Sequence, residues 1–410
     1  MTLEFERLTD SLVEMAQSAV RRQQQVDKQL AALLDRLHSH AADWDTLAAC
    51  LQKAQDQMDA KFFRAARPSD TDEPLDAAVP SPACPPTATL LATDGSQIIP
   101  DRHAAFLYYL INVGVIVYYH GCGRPPETLT VPRLDYPREE LFVNGDVDES
   151  DDFAVGRSAI GVRRDLAEIG TLADTAWQLR HEPRPLLTTL DQRLLYWPVG
   201  SAGASESKEA ILSWLAGMTK IRDAGGLLAG YIDRPGKSSV VTLLQTLDVE
   251  QPGFDPHTLT GRAEWQRPTD VALFSQILRP GQRSKVFVDV SEHNTRFAEN
   301  DPLNEVCFFY LNPGRHGSQI ARVDIPRWVA EDKTAVDTVH ALLYDQCQLL
   351  GDYPYLLARA DEMAVVGRQD QAELDFRIAL SMQAVGLEGT ITAKQQSKEA
   401  ARSGRTRYEM

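Results

Sequence analysis

The sequence predicts an α/β protein in which helices flank a mixed β-sheet, with a helical arm at the N-terminus. Three observations support this fold class. Residues 1–66 contain neither Gly nor Pro and carry a helical pattern. After residue 87, short apolar runs rich in Val, Ile, Leu and Tyr are typical of buried strands. The first of these runs are neighbours along the chain, whereas the later ones alternate with helical segments, as in a mixed sheet covered by helices.

The N-terminal helical region, residues 1–66, has apolar residues at steps of three, four or seven, which places them on one helix face. They are Leu8, Leu12, Met15, Ala19, Val26, Leu30, Leu33 and Leu37. Two interpretations are open. The segment is either an amphipathic helix that packs on its own domain, or a helical arm or short coiled coil that pairs with a partner.

Residues 67–87 differ in composition, because they contain six prolines together with several acidic residues. Proline removes a backbone donor and blocks helix formation, so a linker or long surface loop is expected there. The main domain then covers residues 88–393. The last segment, 394–410, carries five basic side chains in an acidic chain, and is either a frayed terminus or a tail that contacts phosphate.

Within the main domain, apolar runs predict strands and amphipathic stretches predict helices. The strands are expected at 90–93, 106–119 (a pair bent at 112–114), 128–131, Leu186–Leu190, 227–232, 285–290, Val306–Leu311 and 320–325. The helices are expected at 158–180, 208–224, 238–247, 328–350, 355–366 and 371–385. An acidic loop is expected at 137–152.

Composition and charge exclude several classes of protein. The chain has 410 residues, of which 43% are hydrophobic and 24% charged, which is ordinary for a globular protein. Its net charge of −16 argues against nonspecific coating of nucleic acid or anionic membrane. A nuclease stays possible, because carboxylates that hold divalent metals are themselves negative.

Cysteine usage and the N-terminus predict a cytoplasmic protein outside the membrane. The five cysteines form no CxxC pair, which argues against a zinc ribbon and favours a reducing compartment. The first ten residues are charged and lack the apolar core of a signal peptide. The longest apolar run, 106–119, is shorter than the roughly 20 residues that cross a membrane.

Familiar catalytic motifs are missing from the sequence. Gly236-Lys237-Ser238 resembles the end of a phosphate-binding loop, but position 231 is Tyr where that motif needs Gly. No GxSxG elbow, GxGxxG turn or HExxH helix is present. The remaining candidates for chemistry are carboxylates at the ends of strands.

Two aspartates follow apolar strands. Asp94 follows the strand at 90–93 and precedes Gly95 and Ser96, and Asp191 follows Leu186–Leu190. On neighbouring strands, such carboxylates would approach within about 4–6 Å and repel each other strongly. Mg²⁺ or Mn²⁺ removes that repulsion, and Ser96 could donate to a phosphate oxygen. The alternative for each aspartate is a turn residue that accepts a hydrogen bond from its own backbone.

Glu168 is a third candidate, in the helix expected at 158–180. Arg164 lies four residues before it, which is the spacing of an exposed ion pair along a helix. The functional alternative is a carboxylate directed from the helix onto the edge of the sheet. The spacing leaves both interpretations open.

These motifs, in this order, resemble the NurA nuclease family. The resemblance rests on Thr93-Asp94-Gly95-Ser96 after a strand, Arg164 and Glu168 in a helix, and Leu190-Asp191 ending the next strand. Further matches lie at 230–235, 321–326 and Tyr353-Pro354, so the resemblance spans roughly residues 90–398.

The resemblance implies a ribonuclease-H-like core and a manganese-dependent DNA nuclease, with Mg²⁺ as a further option. Such nucleases cut single-stranded DNA internally and degrade DNA ends, often 5′ to 3′. They act as homodimers on the hexameric HerA translocase during DNA end resection and repair.

The resemblance also implies roles for individual residues. Asp94, Glu168 and Asp191 would be metal ligands. The family has a histidine in its late helix where this chain has Asp361. An aspartate can still bind Mn²⁺ or orient water, but it cannot act as a neutral imidazole.

Four further residues are candidates for substrate binding, and three of them have a structural alternative. Tyr310 is either a substrate contact near the metals or a packed aromatic. His316 lies in a Gly-containing loop and is either a phosphate contact or an exposed loop residue. Arg322 shares a strand face with Asp324, so a structural ion pair and a DNA contact are both open. Arg234 is a candidate for positioning the substrate.

Two other functions stay open from the sequence. One is a catalytically weakened adaptor that docks on the translocase, for which Asp361 is the main support. The other is a metal-dependent phosphatase of small phosphoesters, which would use similar carboxylates.

Overall fold

The structure, a computed structural model, describes residues 5–100, 106–136, 157–198, 204–260, 268–314 and 319–387. The expected acidic loop and basic tail lie outside these described residues. The chain divides into two compact units. Unit 1 comprises residues 1–84, 192–195 and 229–354, and unit 2 comprises residues 85–191, 196–228 and 355–410.

The described residues form eleven strands and eleven α-helices, numbered here in chain order. The strands are β1 (Ala65–Pro68), β2 (Val79–Pro80), β3 (Ala88–Ile98), β4 (Tyr109–His120), β5 (Glu127–Asp135), β6 (Leu186–Leu190), β7 (Gly226–Ile232), β8 (Gln282–Arg283), β9 (Phe287–Val290), β10 (Val306–Leu311) and β11 (Ala321–Pro326). The helices are α1 (Thr9–Ser39), α2 (Trp44–Gln57), α3 (Arg157–Gln178), α4 (Ala204–Asp223), α5 (Ser239–Thr246), α6 (Asp270–Phe274), α7 (Glu292–Asn300), α8 (Arg327–Ala330), α9 (Lys333–Leu350), α10 (Tyr355–Ala364) and α11 (Arg368–Ala384).

Unit 2 is built on a mixed sheet with the strand order β6-β3-β4-β5. β3 runs parallel to β6, whereas β4 is antiparallel to both β3 and β5. Helices cover both faces of β3. Successive side chains of a strand point to opposite faces, so residues of β3 contact a helix on each side. Thr93 donates to the Glu168 carbonyl of α3, and Ser96 donates to the Ala364 carbonyl at the end of α10. The mixed sheet with flanking helices confirms the predicted fold class.

Unit 1 contains antiparallel strands in the order β1-β9-β10-β11, and β11 also pairs with residues 230–232 of β7. Side chains from α1, α2, α5 and α6 pack with Phe287, Phe308 and Tyr310 in one apolar core. Both β10 and β11 are buried along their whole length.

The N-terminal helix α1 combines a buried and an exposed half. Leu30, Leu33 and Leu37 lie in the core of unit 1, which confirms the interpretation of an amphipathic helix for this half. The apolar residues of the first half of α1 and of the turn before it are exposed: Phe5, Leu8, Leu12, Val13, Met15 and Val20. Pairing of that half with a partner stays a prediction.

The proline-rich segment differs from the expected linker, because most of it packs within unit 1. β1 pairs with β9, β2 pairs with β8, and Leu75 is fully buried. Two buried cations explain this packing. Arg283 forms a double contact of 2.8 Å with Glu73, and the Lys285 ammonium lies 2.8 Å from Asp70. Without these carboxylates the two charges would be buried unpaired, which is costly.

Strands β3 and β4 also differ from expectation. β3 continues through Asp94 to Ile98, because it pairs with β4 along its entire length. β4 is one continuous strand, so Asn112 and Gly114 do not bend a strand pair. The helix expected at 328–350 is divided into α8 and α9, since Asp332 caps the start of α9 by accepting from the Thr334 N–H.

Two further expectations can be compared with the structure. All five cysteines are free thiols in the structure. Within the described part of the chain, none of the helices combines the length and the apolar character that a membrane crossing requires.

Candidate metal centre

The acidic residues of unit 2 that the sequence singles out lie around the point where β3 passes the end of β6. Thr93 and Leu190 are Cα partners in this parallel strand pair. The residues that follow them, Asp94 and Asp191, therefore lie side by side. β6 ends at Leu190, so Asp191 leaves the sheet and is exposed, whereas Asp94 stays within β3 and is half-buried.

Asp361 reaches the same place from α10, because Gly114 lets this helix lie directly on β4. Gly114 is the Cα partner of Asp94. A Cβ at Gly114 would lie 2.4 Å from the Ala360 carbonyl oxygen and 2.5 Å from the Ala364 nitrogen, which excludes any side chain there. Asp361 is the residue after Ala360, and its carboxylate lies within hydrogen-bonding distance of Asp94.

Glu168 approaches β3 from the opposite face, where Gly95 leaves room for it. A Cβ at Gly95 would lie 2.4 Å from Oε1 of Glu168. The Glu168 side chain is only 7% exposed, and its Oε1 lies 3.2 Å from Nε of Arg164. The ion pair suggested by the sequence spacing is confirmed, but its carboxylate is buried rather than exposed.

The electrostatics of Asp94 reflect its crowded surroundings. The pKa of Asp94 is raised to about 6, chiefly by burial and then by the negative charges of Asp361 and Asp191 and the hydrogen bond with Asp361. The Gly95 N–H, which donates to Asp94 at 2.8 Å, acts in the opposite direction. The charged groups with the largest effect on Asp94 are thus both carboxylates. Repulsion of this kind is relieved by a proton or by a cation.

Glu168 belongs to the same electrostatic group. Burial raises the pKa of Glu168 well above its usual range, and the charges of Asp165, Asp94 and Asp191 act in the same direction. The Arg164 guanidinium opposes this rise. The charges of Asp94 and Asp191 therefore act on Glu168, although α3 lies on the opposite face of β3 from α10.

The donor set suits a hard divalent cation. Carboxylate oxygens are the ligands that Mg²⁺ and Mn²⁺ prefer, and Asp94, Asp191, Asp361 and Glu168 supply only such oxygens. Asp191 and Asp361 are exposed, so a cation has access from solvent. The mutual repulsion at Asp94 is the charge pattern that a bound cation would offset.

Comparison with protein families identifies the chain at this point. Residues 88–366 match the model of the NurA domain. The chain belongs to the NurA family. This membership confirms the resemblance found in the sequence and supports a nuclease.

A solved structure of a NurA nuclease has the same fold. The NurA nuclease from Sulfolobus solfataricus is similar over 93% of this chain and 98% of that chain, with 12% identity and a TM-score of 0.51. A NurA crystal structure with manganese matches more distantly, over 75% and 91% of the two chains, with 9% identity and a TM-score of 0.37. The catalytic domain of human endonuclease V covers 82% and 98%, with 11% identity and a TM-score of 0.31. Among curated proteins no match is found.

Two residues expected to bind substrate are core residues of unit 1 in this NurA-family structure. Tyr310 is fully buried, stacks on Phe274 and donates to Asp270 at 2.7 Å. Arg322 is 5% exposed, and its Nε lies 2.7 Å from Asp324. Their burial leaves no side-chain surface for a substrate, which corrects the expectation of substrate contact. The alternatives, a packed aromatic and a strand ion pair, are confirmed.

The other expected substrate contacts have different placements. Ser96 donates to the Ala364 carbonyl, so its hydroxyl supports α10 instead of facing a phosphate. Arg234 is 83% exposed beside Asp233 in unit 1, and its role in substrate positioning stays a prediction. His316 lies outside the described residues.

Sequence reasoning missed the role of Asn112 and Gly114. The signal was present, since an amide and a glycine interrupt an otherwise apolar run at 106–119. We interpreted this interruption as a bend in the strand. In the structure both residues face α10, which carries Asp361.

Proposed function

We propose that this NurA-family chain is a metal-dependent DNA nuclease. In this proposal Asp94, Asp191, Asp361 and Glu168 hold Mn²⁺, with Mg²⁺ as the second choice. The observation that supports it most is the strand register that sets Asp94 beside Asp191, with Asp361 in hydrogen-bonding distance of Asp94. Family membership supports the same reaction class.

Each side chain then has a distinct task. Bound divalent ions supply a more acidic water and offset the negative charge of a phosphodiester's leaving oxygen. Asp94 and Asp191 offer oxygen ligands at the edge of the sheet. Arg164 holds the Glu168 carboxylate against β3. Asp361 is exposed, so it can accept a proton from a water on the solvent side.

We further propose the biological setting that the family resemblance implies. The substrate is DNA, as single strands and as duplex ends, cut internally and from 5′ ends. The chain acts as a cytoplasmic homodimer with a HerA-type translocase in end resection. Its sequence has no ATP-binding motif, so continuous degradation of duplex DNA requires a motor from outside the chain.

The basic experiment incubates the pure protein with labelled DNA in Mn²⁺, in Mg²⁺ and in chelator. Linear strands labelled at either end report the polarity, and circular single strands report internal cutting. Asp94→Ala should abolish degradation, whereas Asp174→Ala, an exposed carboxylate on the same helix as Glu168, should leave it unchanged. Degradation in chelator, or full activity of Asp94→Ala, would contradict the proposal.

The adaptor function makes a different prediction, and Asp361 favours it as the departure from the family pattern. An adaptor does not degrade DNA in any metal, but Asp361→His, which restores the family residue, should then create activity. A phosphatase would hydrolyse a chromogenic phosphate ester and ignore DNA. Metal-dependent degradation by the unmodified chain excludes both.

A further inference from the structure

The last turn of α10 rests on three residues of the sheet, which we name the α10 seat: Ser96, Asn112 and Gly114. Asn112 is 7% exposed, and its amide nitrogen donates to the Ala364 carbonyl at 2.9 Å and to the Met363 carbonyl at 3.3 Å. Ser96 donates to the same Ala364 carbonyl. The final carbonyls of a helix have no partners within the helix, so these donors satisfy groups that would otherwise lack hydrogen bonds.

The seat lies on the same face of the sheet as Asp94. Ser96 and Asn112 are cross-strand partners, as are Asp94 and Gly114, and the two pairs are two residues apart on each strand. Side chains two residues apart point to the same face of a sheet. The sheet therefore holds α10 from the strands and the face that present Asp94.

The seat also fixes where Asp361 lies. Ala364 is three residues after Asp361, which is about one helical turn. Gly114 meets the backbone at Ala360, immediately before Asp361, and Asn112 and Ser96 hold the backbone at Ala364. The helix is thus held on both sides of Asp361, and a shift or roll of α10 would break contacts at both ends of this turn.

Two carboxylates held this close repel each other when both are ionised, and this repulsion favours a movement of α10 away from β3. The hydrogen bonds of the seat oppose that movement and keep the two carboxylates ready for a shared ion. Groups that orient metal ligands in this way commonly change metal affinity when they are replaced.

We infer that Asn112 is a positioning residue that sets the affinity for the divalent cation through Asp361. This inference rests on the proposed function. Asn112 does not bind the ion itself. It holds the end of α10, so that the Asp361 carboxylate stays beside Asp94 before the ion arrives.

The test is a titration of the purified, DNA-free protein with Mn²⁺ by calorimetry. Asn112→Leu has a similar size but no donor, and Asn112→Asp turns the donor into an acceptor that faces two carbonyls. Both should raise the dissociation constant for Mn²⁺ by about tenfold or more. The Mn²⁺ concentration for half-maximal cleavage should rise in parallel, while cleavage at saturating Mn²⁺ changes much less.

The matched control is Asn312→Leu in unit 1. Asn312 is also fully buried, and its amide donates to the Leu278 carbonyl at 2.9 Å. This variant should lose a similar amount of thermal stability but bind Mn²⁺ as the unmodified chain does. If the Asn112 variants do not fold, Ser96→Ala removes one donor of the seat and should weaken Mn²⁺ binding by less than the loss of Asn112 does.

The outcomes separate this inference from the proposed function. Mn²⁺ binding that depends on Asp94 but is unchanged in the folded seat variants overturns the inference alone. A chain that binds no Mn²⁺, or binds it equally well as Asp94→Ala, overturns the proposed function and the inference with it.

Discussion

Each unit contains a group of acidic residues, and the two groups have different charged surroundings. In unit 1, Asp289 and Asp324 flank the buried Arg322 guanidinium at 3.1 Å and 2.7 Å. Asp324 also accepts from the Leu194 N–H. Asp270 accepts from the Val240 and Val241 N–H groups and from Tyr310. We call this set the buried network.

In unit 2, the strongest charged neighbours of Asp94 are carboxylates. Burial raises the pKa of Asp94 and of Asp270 alike. For Asp270, the next influences are donors and the Arg322 cation, which all lower the pKa. For Asp94, the Gly95 N–H lowers the pKa, but Asp361 and Asp191 raise it.

This difference distinguishes acidic side chains that stabilise the fold from acidic side chains that can bind a cation. Buried carboxylates whose surroundings supply donors and an arginine stabilise the fold. Carboxylates that lie close together and near solvent carry negative charge that a bound metal ion can offset. Sequence alone does not distinguish the two groups of acidic residues.

The largest expected effect is the loss of cleavage in Asp191→Asn. Removal of one ligand should lower the cleavage rate by about 10²–10³-fold at saturating Mn²⁺, a magnitude typical for loss of one electrostatic stabiliser. Thermal stability without metal should stay equal or rise slightly, because an acid that repels its neighbours is gone. Gel assays and thermal melts check both. A cleavage rate like that of the unmodified chain would remove Asp191 from the site.

The corresponding change in the buried network should affect stability instead of metal binding. Asp324→Ala leaves the Arg322 guanidinium with less compensation, and breaking such a buried pair costs about 3–5 kcal/mol. Urea unfolding measures this loss. Mn²⁺ affinity of the folded variant should match the unmodified chain. A loss below about 1 kcal/mol would mean that the network contributes little to the fold.

The stability of the fold should increase as the pH falls, because the pKa of Asp94 is raised in the folded state. The folded pKa is about 6 and the ordinary value is 3.8, so the folded state binds this proton more tightly. Asp94 therefore adds stability as the pH falls through 6, by about 1 kcal/mol between pH 7 and pH 5. Mn²⁺ should compete with the proton and bind more weakly below pH 6.

The reference for this measurement is Asp94→Asn, which cannot titrate. Measured without metal, the melting temperature of the unmodified chain should fall relative to that of Asp94→Asn as the pH rises from 5 to 7. If the two proteins show parallel pH profiles, the repulsion at Asp94 is smaller than the structure indicates.

The smallest expected effect on cleavage is that of Tyr310→Phe. It removes the hydrogen bond to Asp270 but keeps the ring that stacks on Phe274. The expected cost is about 1–2 kcal/mol of unfolding free energy, with cleavage of DNA unchanged. A strong loss of cleavage without loss of stability would restore Tyr310 as a substrate contact.

Local sequence determined the elements and one pair of candidate ligands. The strands Leu186–Leu190 and Val306–Leu311 have the predicted bounds, because uninterrupted apolar runs are a local signal. The adjacency of Asp94 and Asp191 follows from two neighbouring strands, each of which carries its aspartate directly after an apolar run.

Only the tertiary structure decided the rest. Asn112 and Ser96 find their partners at Ala364, more than 250 residues further along the chain. The burial of Tyr310 and Arg322 likewise depends on α5, α6 and distant strands of unit 1. Periodicity predicts which residues share a face of a strand or helix. The charged group or carbonyl that contacts this face belongs to a distant part of the chain, so the local sequence does not reveal it.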